Sequence, residues 1–401
     1  MTDVIAQRDH SERTAGEPAG RPASLIPVPL MRGISFLSFY DRFATPPMLV
    51  LLTRAEGVSL NSTVQLVTVY VLMYALGQPI WGLLGDRLGR LKVLRVALVG
   101  ALIGSLASII APSFGALLVA RAVTGFFIGS LFPNMLTVVG DSYAGAARAR
   151  EISGLQTFTA LGTTVAMLAA GGLAVWLNWR VVFGVTVAGT AVFLLALRPV
   201  KPPGAKETVR HEVRSAFTAW PIWTYLLGVL EGAILLGILT YIVPALERDG
   251  LSTAVAGAVG ATYGIGVIGG AFLARLAVAG IGRTGMIAIG SATLFTAFLI
   301  AALSQSVGAL VVTAILIGTS NAFLHSSLQG WATDVAPAAR ATAVSFFVAS
   351  AFLGSSAATG LTGSMTEHGY QPIFEGTCVS TVLLGGLAVG SHALWSRYHA
   401  Q

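Results

Sequence analysis

The sequence predicts an all-α membrane protein: twelve transmembrane helices in two pseudo-symmetric six-helix bundles, with both termini cytoplasmic. Three observations predict it. Of 401 residues, 55% are hydrophobic and only 10% are charged, where a soluble protein carries about 25% charged residues. The apolar material recurs along nearly the whole chain in stretches of the roughly 20 residues that a spanning helix needs. The basic residues fall almost entirely on one side of the resulting topology. The lipid bilayer is thus the first partner the chain implies.

Residues 1–31 are polar, contain Pro, Gly and Arg, and have no apolar run beside Met1. They are expected to form a disordered cytoplasmic tail rather than a cleavable signal. The first span, 32–53, carries Asp41 and Arg42, then Pro46 and Pro47, whose missing N–H groups free carbonyls and permit a bend. Span 64–84 holds Tyr70, Tyr74 and Gln78 at i, i+4 and i+8, one helical face. Span 93–112 is apolar, and 115–140 contains Arg121. Spans 152–176, with Gln156, and 180–198 complete a bundle over 32–198. The polar segment 199–218 is the expected cytoplasmic linker. A second bundle over 219–397 follows. Its spans are 219–246, with Glu231 and Tyr241, then 253–279, with Tyr263, 284–304, and 307–333, where Asn321, His325 and Gln329 again share one face. Spans 341–366 and 371–396 close it.

With the N-terminus inside, cytoplasmic segments carry 19 of the 24 Lys and Arg residues and outer segments carry 3 (Arg54, Arg180 and Arg248). Arg42 and Arg121 lie within spans. One missed or invented helix would destroy that asymmetry. All seven tryptophans (Trp81, Trp176, Trp179, Trp220, Trp223, Trp331, Trp395) fall near span ends, as an interfacial belt requires. The formal charge of +7 is therefore topological, and no nucleic-acid partner is expected. Cys378 is the lone cysteine, so neither an intrachain disulfide nor a cysteine metal cluster can form. Gly264, Gly266 and Gly269 match G-x-G-x-x-G, but lie inside a span with no acid between Leu251 and Thr333, so they read as helix-packing glycines. Neither a Walker loop nor H-E-x-x-H is present. No enzyme activity, cofactor or metal is expected. Abundant Ala, Gly and Val, with Arg in excess of Lys, fit a bacterial inner (plasma) membrane, multi-pass, and a monomer is expected.

Charges at membrane depth are expensive and are retained mainly for function. Asp41, Arg42, Arg121 and Glu231 are the charges buried by this topology. The halves echo each other: Asp141 and Arg148 after the fourth span correspond to Asp334 and Arg340 after the tenth, about 192 residues on. The same offset carries Asp41 close to Glu231. An acid whose neighbouring Arg approaches or withdraws changes its proton affinity. Asp41 is thus the expected main protonation switch, tuned by Arg42 and Arg121, with Glu231 a second site. Asp41→Asn is expected to abolish proton-linked transport and to leave insertion intact. Tyr70, Tyr74, Gln78, Gln156, Tyr241, Tyr263, Asn321, His325 and Gln329 are candidate liners of a cavity for a small organic or amphipathic solute.

The loop Gly82-Leu-Leu-Gly-Asp86-Arg87-Leu-Gly89-Arg90-Leu-Lys92 resembles the G-x-x-x-D-R-x-G-R-[R/K]-[R/K] signature of the major facilitator superfamily, with Leu91 departing from the usual basic residue. Arg121-x-x-x-Gly125-x-x-x-Gly129 is similar to the family's second motif. The resemblance covers residues 32–397 and implies alternating-access secondary transport. It also implies a latch of Gly82, Asp86, Arg87, Gly89 and Arg90, with Asp86 facing the start of the eleventh helix near Ala341 and the arginines pairing with acids such as Asp141. Gly162 to Gly172 lacks the proline of the drug/proton antiporter motif. Tyr40-Asp41-Arg42-Phe43 resembles an element of organic-anion symporters and spinster-type lysolipid transporters, in which the Asp is linked to proton coupling. Lysolipid or multidrug export and organic-anion symport thus remain alternatives, as does a non-transporting receptor on the same fold.

Overall fold

The structure is a computed structural model that describes residues 26–200 and 213–399. Residues 1–25 of the expected tail and 201–212 of the expected linker lie outside the described residues. Every regular element among the described residues is helical. Helix α1 spans Val28–Ala44 and α2 spans Leu49–Glu56, joined by a 3-10 turn at Pro46–Met48. The helix begins before the expected residue 32 because Pro29 is tolerated in a first turn, whose N–H groups have no intrahelical partner. The two prolines cannot donate to Arg42 and Phe43, so the expected bend is a break. Neither piece alone is long enough to cross a bilayer.

Eleven other helical stretches are long and apolar enough to do so. They lie in α3 (Leu60–Leu88), α4 (Arg90–Ile110), α5 (Phe114–Ile128) continued by α6 (Leu131–Ser142), α7 (Gly145–Trp176) and α8 (Trp179–Leu197). Beyond residue 212 they lie in α9 (Ala219–Gly232) continued through α10 (Ile242–Arg248), α11 (Thr253–Leu303), α12 (Val307–Ser320) continued by α13 (Ser326–Asp334), α14 (Arg340–Thr362) and α15 (Gln371–His399). Helix α11 supplies two of the eleven, because it turns at Gly282, where φ is +62° and ψ 179°. Only glycine adopts such a backbone without strain. Two π-helical turns interrupt the later helices, at Ala233–Gly237 and Asn321–His325.

Five helices that enter from one side are capped by a small polar residue. Ser59, Ser113, Asn178, Ser252 and Ser306 each accept a hydrogen bond from the first turn of the helix that follows. Such caps satisfy backbone donors that lipid cannot.

Helix α1 packs on α7, α3 on α5 and α14, α9 on α14, and α11 on α7, α12 and α15. Glycines let backbones meet at these crossings, and the crossings repeat. A Cβ on Gly125 would lie 2.3 Å from the Tyr70 carbonyl oxygen, and one on Gly318 would lie 2.1 Å from that of Tyr263. A Cβ on Gly162 would meet the Phe36 carbonyl oxygen at 2.4 Å, and one on Gly354 that of Val229 at 1.8 Å. Each later partner lies 192 or 193 residues after the earlier one. The internal repeat is therefore a repeat of helix contacts, not of sequence echo alone. It also corrects the expected equivalence of the two acids. At an offset of 193, Glu231 falls on Ser38, and Asp41 falls on Ile234. The acids are thus one helical turn, about 5 Å, out of register.

Gly354→Val would drive two backbones apart and is expected to cost about 3 kcal/mol or more. Gly376→Ala is the control, since a Cβ there meets nothing within 4 Å. Thermal melting of the purified protein checks both: the first should fall by many degrees and the second should hold or rise.

Candidate functional site

Asp41 sits in the last turn of α1, just before the proline break, fully buried. Arg121, one to two turns into α5, is also fully buried and grips it bidentately. Its Nη1 donates to Oδ1 at 3.2 Å, and its Nη2 to Oδ2 at 3.1 Å and to the Asp41 carbonyl oxygen at 3.3 Å. Thr186 of α8 donates to Oδ1 at 2.8 Å. The rings of Tyr70 and Phe183 lie 4.4 and 4.6 Å from the guanidinium carbon. A carboxylate with this many donors is well compensated for burial.

Arg42, adjacent in sequence, projects elsewhere, because successive helical residues point about 100° apart. It is 5% exposed and has no carboxylate partner among the described residues. Its guanidinium carbon lies 3.9 Å from the Phe352 ring centroid, 4.7 Å from that of Phe43 and 5.8 Å from that of Tyr74. Phe352 belongs to α14, so this cation is held between helices that lie more than 300 residues apart in the chain. Of the two arginines expected to tune Asp41, Arg121 contacts its carboxylate in this structure and Arg42 does not.

A second acid–base pair lies across the interior. Glu231, fully buried near the end of α9, receives His325 Nδ1 at 3.2 and 3.1 Å from its two oxygens. The imidazole keeps 19% of its side chain exposed. Both partners border π-helical turns, a rare geometry that recurs at functional sites. One turn back from His325, Asn321 donates to the Tyr263 hydroxyl at 2.8 Å, and the Tyr263 ring stacks on Phe43 at 6.3 Å. The structure therefore gathers Asp41, Arg121, Arg42, Tyr70, Tyr74, Tyr263, Asn321, His325 and Glu231 into one interior cluster.

Other expected liners fall at its margin or beyond it. Gln78 is 1% exposed, and both amide atoms lack a partner among the described residues. Gln329 is half-buried one turn past His325, and Gln156 is exposed on α7. Tyr241 is spent at the far end, donating to the Thr359 carbonyl at 3.3 Å and sharing a hydrogen bond with Thr362 at 2.8 Å. Thr186, Phe183 and Phe352 were not singled out by sequence. A lone threonine or phenylalanine in an apolar span carries no signal until its neighbours are known.

In the signature loop, Gly89 turns at φ +90°. Asp86 pairs with Arg90 within the loop, and Arg90 Nη1 donates to the Gly82 carbonyl at 3.3 Å. Gly82 reaches the eleventh apolar segment, since a Cβ there would lie 3.8 Å from Ser345 Oγ. Arg87 and Asp141 are exposed. The expected pairing of Arg90 with Asp141 is thus replaced by one with Asp86, which lies one turn away and needs no interhelical reach. At the opposite end, Val50, Arg54, Pro244, Glu247, Arg248 and Thr366 line most of a cavity of about 330 Å³.

The sequence profile of the Major Facilitator Superfamily matches residues 33–359. The chain belongs to that superfamily. Superfamily members are transporters and not enzymes, and this one is a multi-pass membrane protein. A triacylglyceride transporter of Mycobacterium tuberculosis is 29% identical over 185 residues, which is 44% of this chain and 36% of that protein. The match thus spans about a third of the relative's own length. Among solved structures, a nucleoside transporter superposes with a TM-score of 0.75 at 14% identity, covering 91% of this chain and 99% of that one. A bacterial homologue of the human lysosomal transporter Spinster gives 0.71 at 19% identity, over 92% and 96%. At these identities the likeness establishes the superfamily fold.

Proposed function

We propose that the protein is a proton-coupled secondary transporter that moves an amphipathic solute bearing an anionic group, by alternating access across a bacterial inner membrane. In this reading the broken α1–α2 unit is a twelfth span. Both termini are cytoplasmic, and the bundles 32–198 and 219–397 rock about the interior cluster. The observation that carries the reading is Arg42, a buried cation without a carboxylate partner among the described residues, walled by aromatic rings from both halves of the chain. A buried charge is costly unless something compensates it. A solute anion would do so, and the rings offer its apolar portion a surface. Proton entry supplies about 2.3 kcal/mol per 100 mV of membrane potential, enough to bias a two-state equilibrium by tens of fold. The lipid-related relatives favour an amphiphile.

A ligand-stabilisation screen tests this. Purified wild type should be stabilised saturably by lysophosphatidate and less by lysophosphatidylcholine or monoacylglycerol. Arg42→Ala should lose the preference for the anionic lipid. Equal stabilisation of Arg42→Ala by lysophosphatidate would overturn the assignment.

A further inference from the structure

The two acid–base pairs differ in a way that assigns them different work. Asp41–Arg121 is sealed, with both side chains at 0% exposure, three hydrogen bonds donated to the carboxylate and a fourth to the Asp41 main-chain oxygen. A proton reaching Asp41 in this conformation must displace a bidentate guanidinium that cannot itself deprotonate. Glu231–His325 is less tightly enclosed, with Glu231 at 0% side-chain exposure and His325 at 19%. His325 spends Nδ1 on the carboxylate, and its partly exposed ring leaves Nε2 free of any partner among the described residues.

Toward the end of the molecule opposite the signature loop, the two halves are tied together by hydrogen bonds between α3 and α14. There Thr68 donates to Thr359 at 2.9 Å, and Ser356 to the Thr68 carbonyl at 2.8 Å. Toward the same end α7 meets α11 through Gly171, whose Cβ would lie 2.8 Å from the Thr253 carbonyl. His325 lies past these contacts, eighteen residues into its span from Val307, toward the end that bears the signature loop.

We propose that His325 and Glu231 form a second proton-binding unit, which loads and releases its proton at His325 Nε2 toward the signature-loop side while Asp41 is sealed. The inference rests on the proton-coupled reading above. Loaded, the pair is imidazolium and carboxylate, with net charge zero. Loss of the Nε2 proton to water or a buffer base leaves a neutral imidazole still donating Nδ1–H to Glu231, and a net charge of −1. Against the ring, Glu231 of α9 is the acid and Phe347 of α14 carries no charge; Asn321, one turn back, is spent on the neutral Tyr263 hydroxyl of α11, and Arg42 of α1 is the cation of the same cluster. Arg42 lies against the Phe43 ring, which stacks on Tyr263, the hydrogen-bond partner of Asn321 one turn from His325. Release of the proton therefore turns Arg42 toward Glu231, and loading frees Arg42 for a solute anion. Proton and anion reinforce each other through one guanidinium.

The test needs no solute. Spin labels on Ala196→Cys and Tyr398→Cys, exposed near the ends of α8 and α15, report the separation of the two halves in nanodiscs, in a Cys378→Ser background. Wild type should show a pH-dependent change in distance between about pH 5 and pH 8, where histidine exchanges protons. His325→Gln, an uncharged donor, should be fixed at the high-pH distance. His325→Arg, a permanent cation, should be fixed at the low-pH distance, and Asp41→Asn should still titrate. A merely structural role would move both His325 variants alike. A wild-type transition that His325→Gln retains, or that Asp41→Asn alone removes, would overturn this inference and leave the coupled reading standing. A wild type that does not respond to pH would overturn both.

Discussion

Asp41→Asn is expected to reduce proton-driven transport to background. The side chain loses its titrating group, and the His325–Glu231 pair, which makes no hydrogen bond to Arg121 or Thr186 among the described residues, cannot take over that switch. The variant should insert and fold, but it should not be silent in stability. Arg121 stays charged and fully buried, and a guanidinium cannot shed its proton to escape. Removing one partner of a buried pair costs about 3–5 kcal/mol. Here the loss falls toward the low end. The Asn oxygen and the main-chain oxygen of residue 41 still accept, and the rings of Tyr70 and Phe183 still flank the cation. Thermal melting and a flux assay on the same preparation check the two halves of this expectation.

The second large effect is a recovery. Adding Arg121→Gln to Asp41→Asn should restore most of the lost stability, because two neutral amides can hydrogen-bond across the same gap without a buried charge. Replacing a buried ion pair with neutral groups is often neutral or stabilising. Coupled transport should stay at background, since the protonation switch at residue 41 is gone. A double-mutant cycle measures the interaction. Recovered stability with dead transport separates structural from functional roles of the pair. If the double variant melted below both singles, the ion pair would owe its presence to folding and the switch assignment would lose its main support.

The sequence showed these charges but not their partners. Asp41, Arg42, Arg121 and Glu231 stood out because lipid penalises charge wherever it lies, and the spans stood out because a bilayer fixes their length. Side-chain direction was harder to read. Adjacent Asp41 and Arg42 invited a shared role, yet one faces α5 and the other faces α14. His325 read as a cavity liner on a polar stripe, and its bond to Glu231 depends on a contact 94 residues away. The expected match of Asp41 to Glu231 slipped by a turn because end-of-span charges set the offset only approximately. The glycine contacts, read pairwise, fix it. The proline break was visible in Pro46 and Pro47, but its effect on the first helix, two pieces rather than one bent span, depends on packing. The caps at Ser59, Ser113, Asn178, Ser252 and Ser306 were not singled out by sequence and emerged only from the structure.

The most direct test of the whole account is made in liposomes containing the purified protein and a dye-labelled lysophosphatidate added from outside, with dithionite used to bleach whatever remains in the outer leaflet. The account predicts that an imposed pH gradient changes the rate at which label becomes protected, that a protonophore removes the change, and that Asp41→Asn shows neither. Protection that proceeds at the same rate with and without the gradient, or equally in Asp41→Asn, would contradict it.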